Sequence, residues 1–349
     1  MSTGFSRRQV FRFAAGALPV CARMAHAGVR LVLGHSYDPR SRQGLIMEGL
    51  ARNLADQTSG AVEVEVVPAG RRGFESDLLQ AVRSGNIELA LVRSSLGNAV
   101  NVFKLFELPY LVRDRDHMER LFNQLIIPEM EPQARELGIE ILAIIDGGFQ
   151  QLLTSRPVRS PGDLKGLRIR TIASGSFNFF ENLGAQPVRI PFDEIGPALS
   201  KKVINGVDIS LDGILALRSN DATRFATETL PSVTLTNHSY SPIYLIAGRR
   251  ALDRLDSESR SRLGTVSRVA MIRSLRDGET ADRRNREELA KSVKILDVPS
   301  TEEILWIEIG RKSYDALARQ LGGQYDLISR ALRLGPKGWD RRSTNNTED

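Results

Sequence analysis

The sequence contains little of what most enzymatic or metal sites require. Its single cysteine, Cys21, lies near the N-terminus, and its four histidines are scattered without the spacing of metal ligands. The G-x-S-x-G, P-loop and G-x-G-x-x-G patterns are all absent. Because no thiol follows residue 21, the rest of the chain cannot form a disulfide, a cysteine nucleophile or a cysteine-based metal site. The sequence therefore favours a binding protein over an enzyme, with no cofactor and no bound metal.

A strong surplus of one charge is also missing. The chain has 349 residues with 48 Lys and Arg against 42 Asp and Glu, a formal charge of +6. Residues 1–27 hold four arginines and no acidic residue, so the remainder carries only +2. A surplus this small, with both signs interspersed, provides no basic stripe for nucleic acid. Together with 41% hydrophobic residues, it predicts a globular protein of about two domains that does not bind nucleic acid.

The first 27 residues have the pattern of an export signal. Arg7 and Arg8 precede an apolar stretch, residues 13–20, and an Ala-His-Ala site ends at Ala27. This order predicts that residues 1–27 are a cleaved signal peptide, too short to span a bilayer. The paired arginines resemble a twin-arginine signal. An ordinary amphipathic helix is the alternative. We expect a bacterial periplasmic protein that is not embedded in the membrane.

From residue 28 onward, apolar periodicity predicts strands and helices in alternation. The predicted strands are residues 30–33, 62–67, 87–92, 139–145, 152–154, 167–170 and 207–210. The predicted helices are residues 42–59, 77–84, 115–137, 175–183, 192–199, 257–291 and 300–320. Alternation predicts right-handed crossovers and a mainly parallel sheet in two α/β units. The helix over 257–291, about 52 Å long, would have to contact both units. The polar segment 336–349 is predicted to be disordered.

Arginines follow two of the predicted strands. Arg168 and Arg170 flank Ile169, so strand alternation puts both guanidinium groups on the face opposite Ile169. Ligands of α/β sheets lie beyond the carboxyl ends of the strands, where an arginine can bind a carboxylate through two parallel hydrogen bonds. Arg93 comes directly after the strand over 87–92 and has the same position. For both Arg93 and Arg170, an ordinary surface arginine is the alternative.

One pair of carboxylates could support acid–base catalysis. Asp208 and Asp212 lie four residues apart. A helix N-terminus or a solvated edge is the more common role of such a pair. An exported enzyme is therefore the weaker alternative to a binding protein.

Six ordered motifs resemble those of a known family. They are residues 68–70 (Pro-Ala-Gly), 107–110 (Glu-Leu-Pro-Tyr), 160–170 (Ser-Pro-Gly-Asp-Leu-Lys-Gly-Leu-Arg-Ile-Arg), 183–188 (Leu-Gly-Ala-Gln-Pro-Val), 191–194 (Pro-Phe-Asp-Glu) and 235–238 (Leu-Thr-Asn-His). Across about residues 30–333, the chain resembles the solute-binding proteins of tripartite ATP-independent periplasmic (TRAP) transporters, of the dicarboxylate-binding type.

The resemblance implies a two-lobed α/β periplasmic binding protein fold with hinge strands and a long helix that spans both lobes. Lobe I would comprise residues 28–147 and 235–274, and lobe II residues 148–234 and 275–335. The lobes would close on an organic acid by a hinge motion. The arginine that binds the carboxylate in the family corresponds to Arg170, and its cleft-facing aromatic residue to Phe192. Packing in the core is the alternative for Phe192.

Several positions depart from the family pattern. Many members have a second arginine about 20 residues before the first, where this chain has Gln150, which can donate a hydrogen bond but carries no charge. Ile209 replaces a polar residue, and Arg93 corresponds to a cleft position that is acidic or polar in some members. We therefore predict that Gln150, Arg93, Ile209 and Ser36 contact the ligand with Arg170 and Phe192, with Arg93 binding a second anionic or hydroxyl group. An aromatic or branched acid would fit.

The resulting prediction is the substrate-binding component of a TRAP-type secondary transporter. It would be a monomer that delivers an organic acid (carboxylate) to the membrane permease subunits. The alternative is a binding module that presents an organic acid to a membrane sensor or receptor.

Overall fold

The computed structural model describes residues 28–219 and 226–340. The predicted signal segment, residues 1–27, lies outside the described residues. The strands are β1 (Val29–Gly34), β2 (Val62–Val67), β3 (Leu89–Val92), β4 (Ile139–Thr154), β5 (Arg168–Thr171), β6 (Gln186–Arg189), β7 (Gly206–Ser210), β8 (Ser232–Gly248) and β9 (Lys294–Asp297). The α-helices are α1 (Arg42–Gln57), α2 (Glu75–Ser84), α3 (Ser94–Ala99), α4 (Arg115–Leu121), α5 (Glu131–Glu136), α6 (Ser174–Asn182), α7 (Ile195–Ser200), α8 (Leu211–Ser219), α9 (Ala226–Thr229), α10 (Arg249–Leu252), α11 (Ser257–Leu289), α12 (Ser300–Arg311), α13 (Tyr314–Gln320) and α14 (Tyr325–Arg333).

Within the described ranges, all the strands belong to one nine-stranded sheet. Its order is β2-β1-β3-β8-β4-β7-β5-β6, and β9 pairs with β8. The pairs at each end, β1 with β2 and β3 and β5 with β6 and β7, are parallel. The long central strands β4 and β8 are antiparallel to each other and to β7 and β3 respectively. The sheet is therefore mixed, with two parallel α/β units joined by two strands that run through both.

The apolar periodicity gave a wrong prediction for the two central strands, β4 and β8. It predicted two short strands, 139–145 and 152–154, where the structure has the single strand β4, and it did not predict β8. In β4, a register shift between Asp146 and Phe149 and the left-handed φ of +78° at Gly148 interrupt the apolar pattern without ending the strand. In β8, the run Thr-Asn-His-Ser-Tyr-Ser is mostly buried, because its polar side chains have partners inside the protein.

Three predicted helices have different outcomes. The helix over 257–291 is confirmed as α11, which begins at its N-cap Asp256 and has a length of about 50 Å. The helical segment 115–137 is divided into α4, a π-helical stretch Phe122–Met130 and α5, because Pro128 cannot donate the next main-chain hydrogen bond. The helix over 300–320 is divided into α12 and α13, with a break at residues 312–313.

Three buried apolar clusters support the two units. The first packs β1–β3, the start of β4, the end of β8 and their helices; the second packs β7, α7 and α8; the third packs β5, α6 and α12. In the structure, Leu317 of α13 and Ile328 of α14 belong to the first cluster, whereas the predicted division groups residues 275–335 with lobe II. The predicted lobe boundaries stay predictions.

The C-terminal segment is ordered further than predicted. Trp339 is 2% exposed, donates from its indole nitrogen to Leu111 O at 3.1 Å, and has the guanidinium groups of Arg113 and Arg311 at 5.1 and 5.0 Å from its ring centroid. Disorder was therefore the wrong prediction for residues 336–340, where one aromatic residue anchors an otherwise polar segment. Residues 341–349 lie outside the described residues.

One buried histidine predicts an acid sensitivity of the fold. The ring of His117 accepts from Arg113 N through Nδ1 (3.2 Å) and contacts Ala331 O through Nε2 (2.8 Å), so it must remain neutral. Burial lowers its pKa to about 4. Because the unfolded chain takes up this proton near pH 6.5, stability decreases as the pH falls from about 6.5 towards 4, by about 2 kcal/mol at pH 5. Urea unfolding at pH 7 and 5 should show a smaller decrease for His117→Asn; an equal decrease would contradict the assignment.

Candidate functional site

Arg170 is the most unusual charged group at the carboxyl ends of the strands. It is 5% exposed, and it donates from Nε to Ile190 O at 2.8 Å and from Nη1 to Asp208 O at 3.5 Å. No carboxylate of the described residues lies within ion-pair distance of its guanidinium. Burial lowers its pKa to about 10, the negative charge of Asp208 opposes this shift, and the positive charge of Arg93 adds to it. A surface position for Arg170 was the wrong alternative.

A buried hydrogen-bond chain supports the strand ends around Arg170. Asp208 Oδ2 accepts from Thr171 Oγ1 at 2.6 Å, and Asp208 Oδ1 lies 3.1 Å from His238 Nε2. The other ring nitrogen of His238 lies 2.7 Å from Thr236 Oγ1, and the ring stacks on Phe179. This chain fixes β5, β7 and β8 relative to one another. It leaves the carboxylate of Asp208 with two side-chain partners and its main-chain oxygen as the contact to Arg170.

Asp208 and Asp212 have separate roles. Asp212 Oδ2 accepts from Arg42 and Gln43, at 3.0 and 3.2 Å, and its Oδ1 accepts from Asn285 at 2.5 Å. Burial alone raises the pKa of Asp212, but the charge of Arg42 and these hydrogen bonds lower it below its ordinary value. Each carboxylate is occupied by its own partners, which disfavours the acid–base pair.

Arg93 already has a carboxylate partner. Glu75, in the first turn of α2, accepts from Arg93 Nε at 2.8 Å and from its main-chain nitrogen at 3.2 Å. The charges of this pair and of Asp212 act on Tyr37. Burial raises the pKa of Tyr37 to about 12, and its hydroxyl is buried with no hydrogen-bond partner among the described residues. The region around Arg93 therefore presents a neutral ion pair and a neutral phenol.

The remaining predicted contact residues have different environments. Phe192 is 38% exposed at the start of a 3-10 turn, so packing in the core was the wrong alternative for it. Ile209 is 5% exposed and packs in the second apolar cluster. Gln150 is half-buried on β4, in register with Ser210 of β7, and Ser36 is half-buried after β1. Phe192 and Ile209 lie at the same strand ends as Arg170. Arg170 donates hydrogen bonds to Ile190, two residues before Phe192, and to Asp208, the residue before Ile209.

Hydrogen bonds of side chains and main chain join the two units. Arg42 and Gln43 of α1 hold Asp212 at the start of α8. Glu107 accepts a hydrogen bond through Oε2 from the main-chain nitrogen of Gly175, at 3.3 Å, where α6 begins. Charged groups of one unit are thus held by the other.

Sequence reasoning missed Glu75, Tyr37, Arg42 and Gln43. Glu75 lies 18 positions before Arg93 and pairs with it only because α2 and β3 fold side by side. Tyr37 comes directly after Ser36 and two positions after His35, and its position beyond the end of β1 was the available signal.

Comparisons with known proteins agree on one family. The family model of bacterial extracellular solute-binding proteins, family 7, matches residues 33–320. The 2,3-diketo-L-gulonate-binding periplasmic protein of Escherichia coli is 26% identical over 220 residues, 62% of this chain and 65% of that protein. The C4-dicarboxylate-binding periplasmic protein of Vibrio cholerae is 22% identical over 298 residues, 84% and 87% of the two chains.

Solved structures show the same fold. A TRAP periplasmic solute-binding protein from Haemophilus influenzae with bound L-gulonate superposes with a TM-score of 0.79 at 19% identity, over 88% of this chain and 99% of that one. Among residues 28–219 and 226–340, we find no helix that is long and apolar enough to cross a membrane. The family match covers both α/β units and the strands that join them. The chain therefore belongs to family 7 of the bacterial extracellular solute-binding proteins.

Proposed function

We propose that this protein captures an organic acid in the cleft between its two units and delivers it to the permease subunits of a TRAP-type transporter. Members of the family bind solutes and are not enzymes. The proposed ligand contacts are Arg170, Phe192, Ile209, Gln150 and Ser36, with Arg93 at the opposite side of the cleft.

One observation supports an organic acid as the ligand. Arg170 is a buried guanidinium whose described partners are two main-chain carbonyl oxygens, without a carboxylate. Burying a charge without a counter-ion is costly, and a ligand carboxylate is the group that would compensate it through charge-assisted hydrogen bonds. The relatives support this class of ligand, since the names of two of them specify a diketogulonate and C4-dicarboxylates.

The proposal also covers the cellular location of the protein and its partners. We propose export to the periplasm by the signal in residues 1–27, through the twin-arginine route indicated by Arg7 and Arg8. The protein would act as a monomer, and closure of its two units on the ligand would create the form that the permease recognises.

A ligand screen tests the proposal directly. The protein without residues 1–27 should be heated with mono-, di- and keto-acids, aromatic acids and sugar acids. A ligand at about 100 times its dissociation constant stabilises the folded state by about 2.7 kcal/mol, which raises the melting temperature by several degrees. We expect a few acids to do so, and their amides and neutral sugars not to. Stabilisation by neutral or cationic solutes alone would contradict the proposal.

A further inference from the structure

The charges around the cleft are nearly balanced before any ligand binds. Arg93 is paired with Glu75, with side chains 32% and 20% exposed. Arg170 lies near Asp208, whose carboxylate accepts from Thr171 and faces His238. In their ionised forms, Arg93, Glu75, Arg170 and Asp208 sum to zero. A bound monoanion leaves one negative charge among them, and a dianion leaves two.

The location of Glu75 makes it unfavourable for a ligand to place a second anionic group at Arg93. Its carboxylate binds both the side chain and the main chain of Arg93, so a ligand carboxylate at Arg93 would approach an existing one. Like charges repel more strongly in a closed cleft than in water, because less solvent screens them. Arg93 can therefore donate hydrogen bonds, but it does not supply a free positive charge.

Two hydroxyl groups, one in the field of this pair and one two residues after Arg93, have no hydrogen-bond partner among the residues that the structure describes. The hydroxyl of Tyr37 and the hydroxyl of Ser95, the second residue of α3, are buried and make no hydrogen bond within the described part of the chain. The charges of Arg93 and Glu75 both act on the Tyr37 hydroxyl. An unpaired buried hydroxyl is costly unless a ligand completes its hydrogen bonds. Both groups suit a hydroxyl or carbonyl oxygen, since each can donate and accept.

We infer that Glu75 is a specificity-determining residue that neutralises Arg93 and so restricts the cleft to monocarboxylates with an uncharged polar far end. This inference rests on the proposed function and narrows its ligand class. The carboxylate binds Arg170, and the hydroxyl or carbonyl groups of the same ligand reach Tyr37, Ser95 and the free guanidinium nitrogens of Arg93.

Two matched ligand pairs and one isosteric variant test the inference. Gluconate and glucarate share a carbon chain and differ by one carboxylate, as do 4-hydroxybutanoate and succinate. Calorimetric titration of the wild-type protein should show the monoanion of a pair binding about tenfold or more tightly than the dianion. In Glu75→Gln the side chain still accepts from Arg93, but its charge is gone, so the dianion should gain about tenfold relative to the monoanion. Glu63→Gln, an exposed glutamate on the edge strand β2, should leave the ratio unchanged.

The outcomes separate the inference from the proposed function. Equal or tighter binding of both dianions by the wild-type protein overturns the inference, and so does an unchanged ratio in Glu75→Gln. Failure of all four probes while other acids of the screen bind also overturns it. Failure of every acid in the screen overturns the proposed function itself.

Discussion

Replacing Arg170 by glutamine should weaken the binding of a carboxylate ligand by about 100-fold or more. The guanidinium is a buried cation whose partners within the described residues are main-chain oxygens, so the variant removes the main charge-assisted contact, which is typically stronger than a neutral hydrogen bond. Arg170→Lys keeps the charge but cannot form two parallel hydrogen bonds. Its affinity for the ligand should therefore lie between those of the wild type and Arg170→Gln.

Arg168→Gln is the matched control for this experiment. Arg168 lies two residues earlier on β5, but its guanidinium donates to Val203 O and Lys202 O, at 2.8 and 2.7 Å, away from the site. Titration calorimetry of both variants with one acid from the screen should show loss of binding in Arg170→Gln alone. Equal affinities of wild type and Arg170→Gln, or an equal loss in both variants, would contradict the role of Arg170.

Gly175→Ala should weaken ligand binding by about tenfold or more without unfolding the protein. A Cβ at this position would lie 2.4 Å from the main-chain oxygen of Glu107 and 2.7 Å from its carbonyl carbon. Backbone atoms cannot move aside as a flexible side chain can, so the two units could approach only with strain of about 1–3 kcal/mol. Alanine favours a helix more than glycine does, so α6 itself should not suffer. We expect the variant to favour the open form, which raises the dissociation constant.

Another helical glycine provides the control. Gly264 lies in α11, and a Cβ there would meet nothing within 4 Å, so Gly264→Ala should leave affinity unchanged. Melting temperatures measured without ligand separate closure from folding. If Gly175→Ala melts well below the wild type without ligand, or binds as tightly as Gly264→Ala, the contact between α6 and Glu107 does not control closure.

The sequence predicted the elements whose buried side chains are apolar, and it failed for those whose buried side chains are polar. The strand β2 matches its prediction, and α11 differs from its prediction by two residues at the end, because both have regular patterns and clear stops. The central strands were misread because Asp146 and the polar run of β8 are buried through mutual pairing. Asp146 is fully buried but binds Arg42, Arg115 and the Tyr240 hydroxyl. Such long-range partners have no local pattern in a sequence.

The site residues were predictable where a local sequence feature indicated them, and not where they depend on a distant partner. Position at a strand end indicated Arg170, and the family motif added Phe192, but neither could show that Arg93 is paired. Its partner Glu75 begins a helix earlier in the chain, and only the antiparallel packing of α2 beside β3 brings the two residues together. The prediction that Arg93 binds a second anionic or hydroxyl group came from its position after a strand and from the family resemblance, and the inference about Glu75 narrows it to an uncharged polar group.

The shared central sheet also limits how this protein can be divided. β4 and β8 pair along most of their lengths, and they link the two units because β8 also pairs with β3 and β4 also pairs with β7. A fragment holding one unit would lose half of this ladder and expose long rows of unpaired main-chain groups. Such open strand edges promote pairing between copies and aggregation. The two units therefore fold, and would have to be engineered, as one piece, although we propose that they close on a ligand from opposite sides.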